Sequence, residues 1–202
     1  MAYHINVPAA QAQLTLLGEK YAELAPIFNS INTDYIDATK EVWGTPKGAN
    51  YIQSIVTSLN EMINEFNSKV PSSVTETVEQ INPFLTSEEM TTLTDPGLAP
   101  IPNVEKGWEG NPDETPVPTE FGELTASAYT ANMTKVSEIF GELSGIMDTL
   151  VSTGFDSAFL NNAKESFEKN KGVVEEMVSQ NTQASATNAA AEDTNVSSAA
   201  AN

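Results

Sequence analysis

Residues 14–66 read LTLLGEKYAELAPIFNSINTDYIDATKEVWGTPKGANYIQSIVTSLNEMINEF, and this stretch decides the fold. In its first part Leu14, Leu17, Tyr21, Leu24, Phe28, Ile31, Tyr35, Ala38 and Val42 recur in alternating steps of three and four. In its last part Ile52, Ile55, Leu59, Met62 and Phe66 do the same. Such spacing keeps one side of an α-helix apolar. Between the two stripes lie Trp43-Gly44, Pro46 and Gly48, where a helix is expected to break. Two amphipathic helices joined by a short turn fold back on each other. The expectation is an α-helical hairpin with Trp43 and Gly44 at its bend.

Working outward, the first helix is expected over about residues 9–42, with a kink near residues 22–26 where Pro26 removes a backbone bond. The second is expected over about 50–69. Pro71 then interrupts it, although Val70, Val74, Val78, Ile81 and Leu85 carry the stripe onward as a kinked continuation or a second short helix. Asn82-Pro83 favours a stop. Thr86 and Glu89 have capping-box spacing, which predicts a further helical turn over about 88–93.

Residues 94–118 are rich in Pro, Gly and Asp and read as a linker, partly in polyproline geometry. A third helix is expected over about 120–151, with Tyr129, Val136, Ile139, Phe140, Leu143, Ile146, Met147 and Leu150 as its stripe. Gly154 suits a left-handed C-cap, and Asp156 suits the N-cap of a fourth helix buried through Leu160, Ala163, Phe167, Val174 and Met177. Residues 182–202 are Ala, Ser, Thr and Asn with almost nothing large and apolar, a composition expected to stay disordered.

The fold class expected is therefore all-α. Two helix-turn-helix hairpins pack as an antiparallel four-helix bundle, with a Pro-rich linker and a disordered C-terminal tail. The division is 1–93 (N-terminal hairpin), 94–118 (linker), 119–181 (C-terminal hairpin) and 182–202 (tail). The two halves share a plan but little residue identity. That is the mark of an architectural duplication, or simply of any chain with four helices.

Charge and composition narrow the function. Twenty-eight acidic residues face 9 lysines, there is no arginine, and the formal net charge is −19. Nucleic-acid binders need cations to displace phosphate counterions, and an anionic membrane repels an acidic chain. Neither partner is expected. There is no cysteine, which removes disulfides and thiolate chemistry. His4 is the only histidine, so no transition-metal site and no Ser-His-Asp arrangement is expected. The carboxylate pairs Glu88-Glu89, Asp113-Glu114 and Glu175-Glu176 read as solvated charge, and no phosphate-cradling glycine loop is present. No enzyme activity and no cofactor are expected. The N-terminal residues lack the pattern of a cleaved signal peptide, and no stretch has the length of a membrane span.

Two tryptophans stand out. Trp43 either closes the end of the core or forms a recognition surface. Trp108-Glu109-Gly110 is a literal Trp-X-Gly placed between prolines, and Trp108 reads as a linker side chain on the surface or as an exposed anchor for a partner. Phe155 beside Gly154 holds the corresponding place at the second bend.

A hairpin of two helices, a Trp43-Gly44 turn, an acidic chain and no signal peptide together resemble the small WXG-motif proteins secreted by type VII systems. The resemblance covers about residues 1–85, and residues 120–181 by architecture only. Here glycine follows tryptophan directly, whereas the family has Trp-X-Gly, and the second bend reads Thr153-Gly154-Phe155. The resemblance implies a non-enzymatic secreted or cell-surface protein without a cleaved signal, binding a helical partner or itself, with a secretion ATPase as a further partner. The family's export signal, Tyr-X-X-X-Asp/Glu, is absent, which implies a partner that carries it. The alternative is a structural or assembly protein of a phage or surface filament, residing otherwise in the cytoplasm.

Overall fold

The computed structural model describes residues 5–155 and 158–200. Among the described residues there is helix and no strand, so the protein is all-α. His4, Asp156 and the last two residues of the tail lie outside the described residues.

The first helical stretch is α1 (Val7–Ala22), α2 (Leu24–Ser30), a π-helix (Ile31–Asp37) and α3 (Thr39–Trp43). Asn6 caps α1, its side-chain oxygen accepting from the Ala9 amide at 3.2 Å. The break falls at Glu23, whose amide turns back to the Lys20 carbonyl at 3.2 Å. Its cause is Pro26, which has no N–H to offer the Ala22 carbonyl one turn earlier.

The second stretch departs from expectation. Helix α4 runs from Pro46 to Ser87 with both Pro71 and Pro83 inside it. It starts four residues early because Thr45 caps it, the hydroxyl accepting from the Gly48 amide at 3.2 Å, and because proline suits a first helical position. It does not stop at Pro71 or Pro83 because Val70, Val74, Val78, Ile81 and Leu85 are all buried. An internal proline costs about 3 kcal/mol. Each buried aliphatic side chain contributes about 1.5–3 kcal/mol, so five of them outweigh two prolines. The further helical turn expected at 88–93 is absent. Instead Glu89 takes φ 56°, the Met90 amide reaches the Leu85 carbonyl at 2.8 Å and the Glu89 amide the Thr86 carbonyl at 3.2 Å. These two bonds form a Schellman closure.

Residues 88–117 contain no regular helix and form a strap. Then come α5 (Pro118–Leu124), a second π-helix (Thr125–Thr130), α6 (Ala131–Ser152) and α7 (Ala158–Ala200). Residues 182–200, expected to be disordered, are helical as the last turns of α7. Alanine is the best helix former, and two small polar residues of this segment and its approach, Asn181 and Ser185, are buried and hydrogen-bonded.

Contacts divide the chain into two compact units. The first comprises Met1–Ala25, Ile63–Ile101 and Ser137–Gly172; the second comprises Pro26–Met62, Pro102–Val136 and Val173–Asn202. Each unit thus draws on all four helical stretches and on the strap, and this division cuts across the sequential one. In the first unit the Phe66 ring is the hub. It stacks on Tyr21 at 5.7 Å and meets Phe140 at 5.0 Å and Phe167 at 5.4 Å. In the second unit the large buried side chains are Phe28, Tyr35, Trp43, Phe121 and Tyr129.

Candidate functional site: the Trp43 turn and its strap

Helix α3 ends at Trp43, and Gly44 follows with φ −70° and ψ 5°. The indole is 2% exposed and packs against Phe121 at 4.7 Å and Tyr51 at 5.5 Å. Helix α4 approaches from below through Gly48. A Cβ there would stand 1.9 Å from the Trp43 carbonyl oxygen and 2.8 Å from the indole Cγ. Only glycine permits this approach. The Lys47 ammonium lies 6.0 Å from the indole centroid and pairs with Glu192 of α7. The indole Nε1 is buried and has no hydrogen-bond partner in the protein.

The strap closes the same turn from outside. The Asn111 amide donates to the Gly44 carbonyl at 2.8 Å, and the Val117 amide to the Val42 carbonyl at 2.7 Å. Gly110 presses against the Thr45–Pro46 backbone, where a Cβ would come within 2.4 Å of the Pro46 Cα. Trp108 is 8% exposed and donates its Nε1–H to the Ile36 carbonyl at 3.0 Å. The Lys106 ammonium sits 5.1 Å from the Trp108 ring centroid and bonds its carbonyl. Trp108 is therefore a buried side chain with its polar atom satisfied, and neither the surface lodger nor the exposed anchor read from its surroundings in sequence.

The strap is held by side-chain amides along its length. In the first unit Asn82 accepts from the Leu93 amide at 2.8 Å and donates to the Leu93 carbonyl at 2.9 Å. Asn67 does the same to Ile101, at 2.8 Å in both directions. Gln11 accepts from the Thr94 amide at 2.8 Å. In the second unit Asn60 clasps Val104 at 2.9 and 2.8 Å, and Asn32 accepts from the Glu105 amide at 2.7 Å. A carboxamide offers one donor and one acceptor side by side, as a peptide group does. It can therefore pair with extended backbone as a neighbouring strand would. Leu93, Ile101 and Val104, the clasped residues, are also buried.

Beside the Trp43 turn the two π-helices pack on each other and bring the Tyr35 and Tyr129 rings to 5.0 Å. Asn181 of α7 donates to the Tyr35 hydroxyl at 3.2 Å and accepts from Tyr51. Ser185 bonds Thr125 at 2.9 Å. Burial pushes the Tyr35, Tyr51 and Tyr129 phenols well above their ordinary range, so all three are neutral at physiological pH; Tyr51 donates to Asn181, Tyr35 accepts from it, and the Tyr129 hydroxyl is buried without a partner. This cluster fixes α7 in place and holds no ionised group.

At the second bend Gly154 adopts φ 86°. The Phe155 amide reaches the Leu150 carbonyl at 3.3 Å and the Gly154 amide reaches Val151 at 3.0 Å. This is a Schellman cap, and Phe155 and Leu150, its apolar pair, are both fully buried. Gly154 and Phe155 belong to the first unit; Trp43, Gly44 and Trp108 belong to the second.

Glu88, Glu89, Asp113, Glu114, Glu175 and Glu176 are all exposed. Among the described residues no group of three His, Cys, Asp or Glu side chains could hold a metal ion. No helix there is long and apolar enough to cross a membrane. One carboxylate is strongly perturbed. Hydrogen bonds from Lys169 at 2.5 Å and Lys69 at 2.8 Å hold Glu65 down to about 2. No family model, curated protein or solved structure matches the chain.

Proposed function

We propose that this chain is a non-enzymatic helical protein that acts by binding another helical protein, in the manner of the WXG-motif substrates of type VII secretion. In this reading two hairpins pack as an antiparallel four-helix bundle. The observation that carries it is the Trp43-Gly44 bend, where a buried indole joins two long helical stretches and Gly48 lets them meet. The net charge of −19 supports it by disfavouring nucleic acid and anionic lipid as partners. The partner is a helical protein or a second copy, with a secretion ATPase acting on the pair, and the protein works outside the cell. The test is blotting of culture supernatants. Release is expected only when a type VII secretion ATPase and a co-expressed helical partner are both intact. Undiminished release in both deletion strains, with lysis controlled, overturns the reading.

A second reading, a structural or assembly protein of a phage or surface filament, is favoured by the end of α7. Residues 193–199 are helical yet exposed on every side, Val196 included. Such exposed turns bury little surface within the chain. Sedimentation velocity separates the two: assembly predicts species that grow with concentration in the purified protein alone.

A further inference from the structure

The Trp43 turn carries an internal cover. Asn188, Ala189 and Glu192 of α7 line the same small recess as Val42, Trp43 and Phe121, so one turn of α7 lies over the indole. Glu192 is held there by Lys47, the same ammonium that stands over the indole face. Up to Ser185 the helix is anchored, since Asn181 and Ser185 are buried and bonded to Tyr35, Tyr51 and Thr125. Beyond Glu192, residues 193–199 are exposed. Between these limits the cover is a half-buried asparagine, a half-buried alanine, and an ion pair in which the Lys47 side chain is 56% exposed and the Glu192 side chain 14%. A pair open to water on its lysine side contributes little, and helix ends with few fully buried residues open at low cost.

We propose that residues 188–192 form a displaceable cover over Trp43, and that a partner reaches the indole only when this turn of α7 lifts. The charge pattern explains how the cover is set. Lys47 is the cation that holds it, and Glu192 is followed at once by Asp193 in a chain already rich in negative charge. A partner that presents its own carboxylate to Lys47 takes the place of Glu192. The part of the recess that this exposes is formed by Val42, Trp43, Pro116, Pro118 and Phe121, an apolar surface suited to one face of a helix.

The experiment follows indole N–H hydrogen exchange by NMR in the full chain without any partner. Trp43 Nε1 has no hydrogen-bond partner, whereas Trp108 Nε1 is bonded to Ile36 and serves as the internal reference. Glu192→Lys places two cations together and lifts the cover by repulsion; Ala189→Gln lifts it by bulk. In both variants Trp43 exchange is expected to rise at least tenfold while Trp108 exchange is unchanged. Unchanged Trp43 exchange in both variants overturns the proposal, and so does an equal rise at both indoles, which reports global unfolding. The proposal rests on the Trp43 turn being a partner surface. Because exchange is read with no partner present, a failure of the cover is distinguishable from a failure of partner-dependent release.

Discussion

Gly48 lies so close under Trp43 that any Cβ on it would overlap the Trp43 carbonyl oxygen, at 1.9 Å. The neighbouring atom is backbone, so it cannot swing aside as a flexible side chain would. Gly48→Ala should therefore destabilise the protein by about 1–3 kcal/mol, the usual range for overpacking, despite the ~1 kcal/mol that alanine gains over glycine within a helix. Urea denaturation followed by circular dichroism measures this. A variant as stable as the parent would mean that α4 does not approach the indole this closely.

Truncating the indole should cost more. Trp43→Ala removes a large, almost fully buried side chain and should lower stability by about 3–5 kcal/mol. A midpoint unchanged by the substitution would place Trp43 at the surface.

The clasp of Asn67 on Ile101 separates donor from acceptor by a conservative change. Asn67→Ala leaves the Ile101 amide and carbonyl both unpaired and should cost about 2–3 kcal/mol. Asn67→Asp keeps the acceptor and loses the donor. Amide exchange at Ile101 should rise in the alanine variant and stay slow in the aspartate variant. Fast exchange in both would show that the strap is held by its apolar side chains alone.

Glu89 occupies a left-handed position at φ 56°, where an L side chain costs roughly 1–2 kcal/mol. Glu89→Gly relieves that cost, less the extra entropy that glycine loses on folding, about 0.5–1 kcal/mol. A net gain of up to about 1 kcal/mol is expected in thermal or urea unfolding. A loss would mean that the Glu89 side chain contributes contacts of its own.

The Glu65 ion pair gives a signed pH dependence. Its carboxyl titrates at about 2 in the folded chain against 4.5 for an ordinary glutamate. A depressed pKa stabilises the fold above the unfolded value, and that stability is lost as pH falls from about 4.5 through 2. Glu65 and both lysines are substantially exposed, so solvent limits the contribution to about 1 kcal/mol or less. Glu65→Gln should be less stable than the parent by that amount at pH 7, and the difference should vanish near pH 2. A difference that persists at pH 2 would assign the effect to packing.

The apolar stripes were legible because helical burial writes a period into the chain, and Leu14, Leu17, Tyr21, Phe66 and Val136 lie in the core as their spacing implies. Gly154 was legible because a left-handed cap favours one residue type. The strap was not. Asn60, Asn67 and Asn82 are ordinary polar helix residues, and nothing local shows that their amides face another segment many residues away. The π-helices at 31–37 and 125–130 carry no composition of their own; they become visible through what packs on them, Tyr35 against Tyr129. Thr45-Pro46 was a readable start for α4 that the glycines around it obscured. The tail was misread because low hydrophobicity argues against burial, while its alanines and two well-placed small polar residues suffice to continue a helix already anchored.

The clasped strap also bears on self-association. Extended backbone ordinarily presents a free edge on which further chains can add. Here Ile101, turned inward to Asn67, is flanked by Pro100 and Pro102, which have no N–H to turn outward. At Val104 the next amide, Glu105, is already given to Asn32. The partners on the inner side are side chains on helices, which cannot grow by another strand. The Ile101, Val104 and Glu105 amides are thus already given to side chains of the same chain and are not open to an added strand.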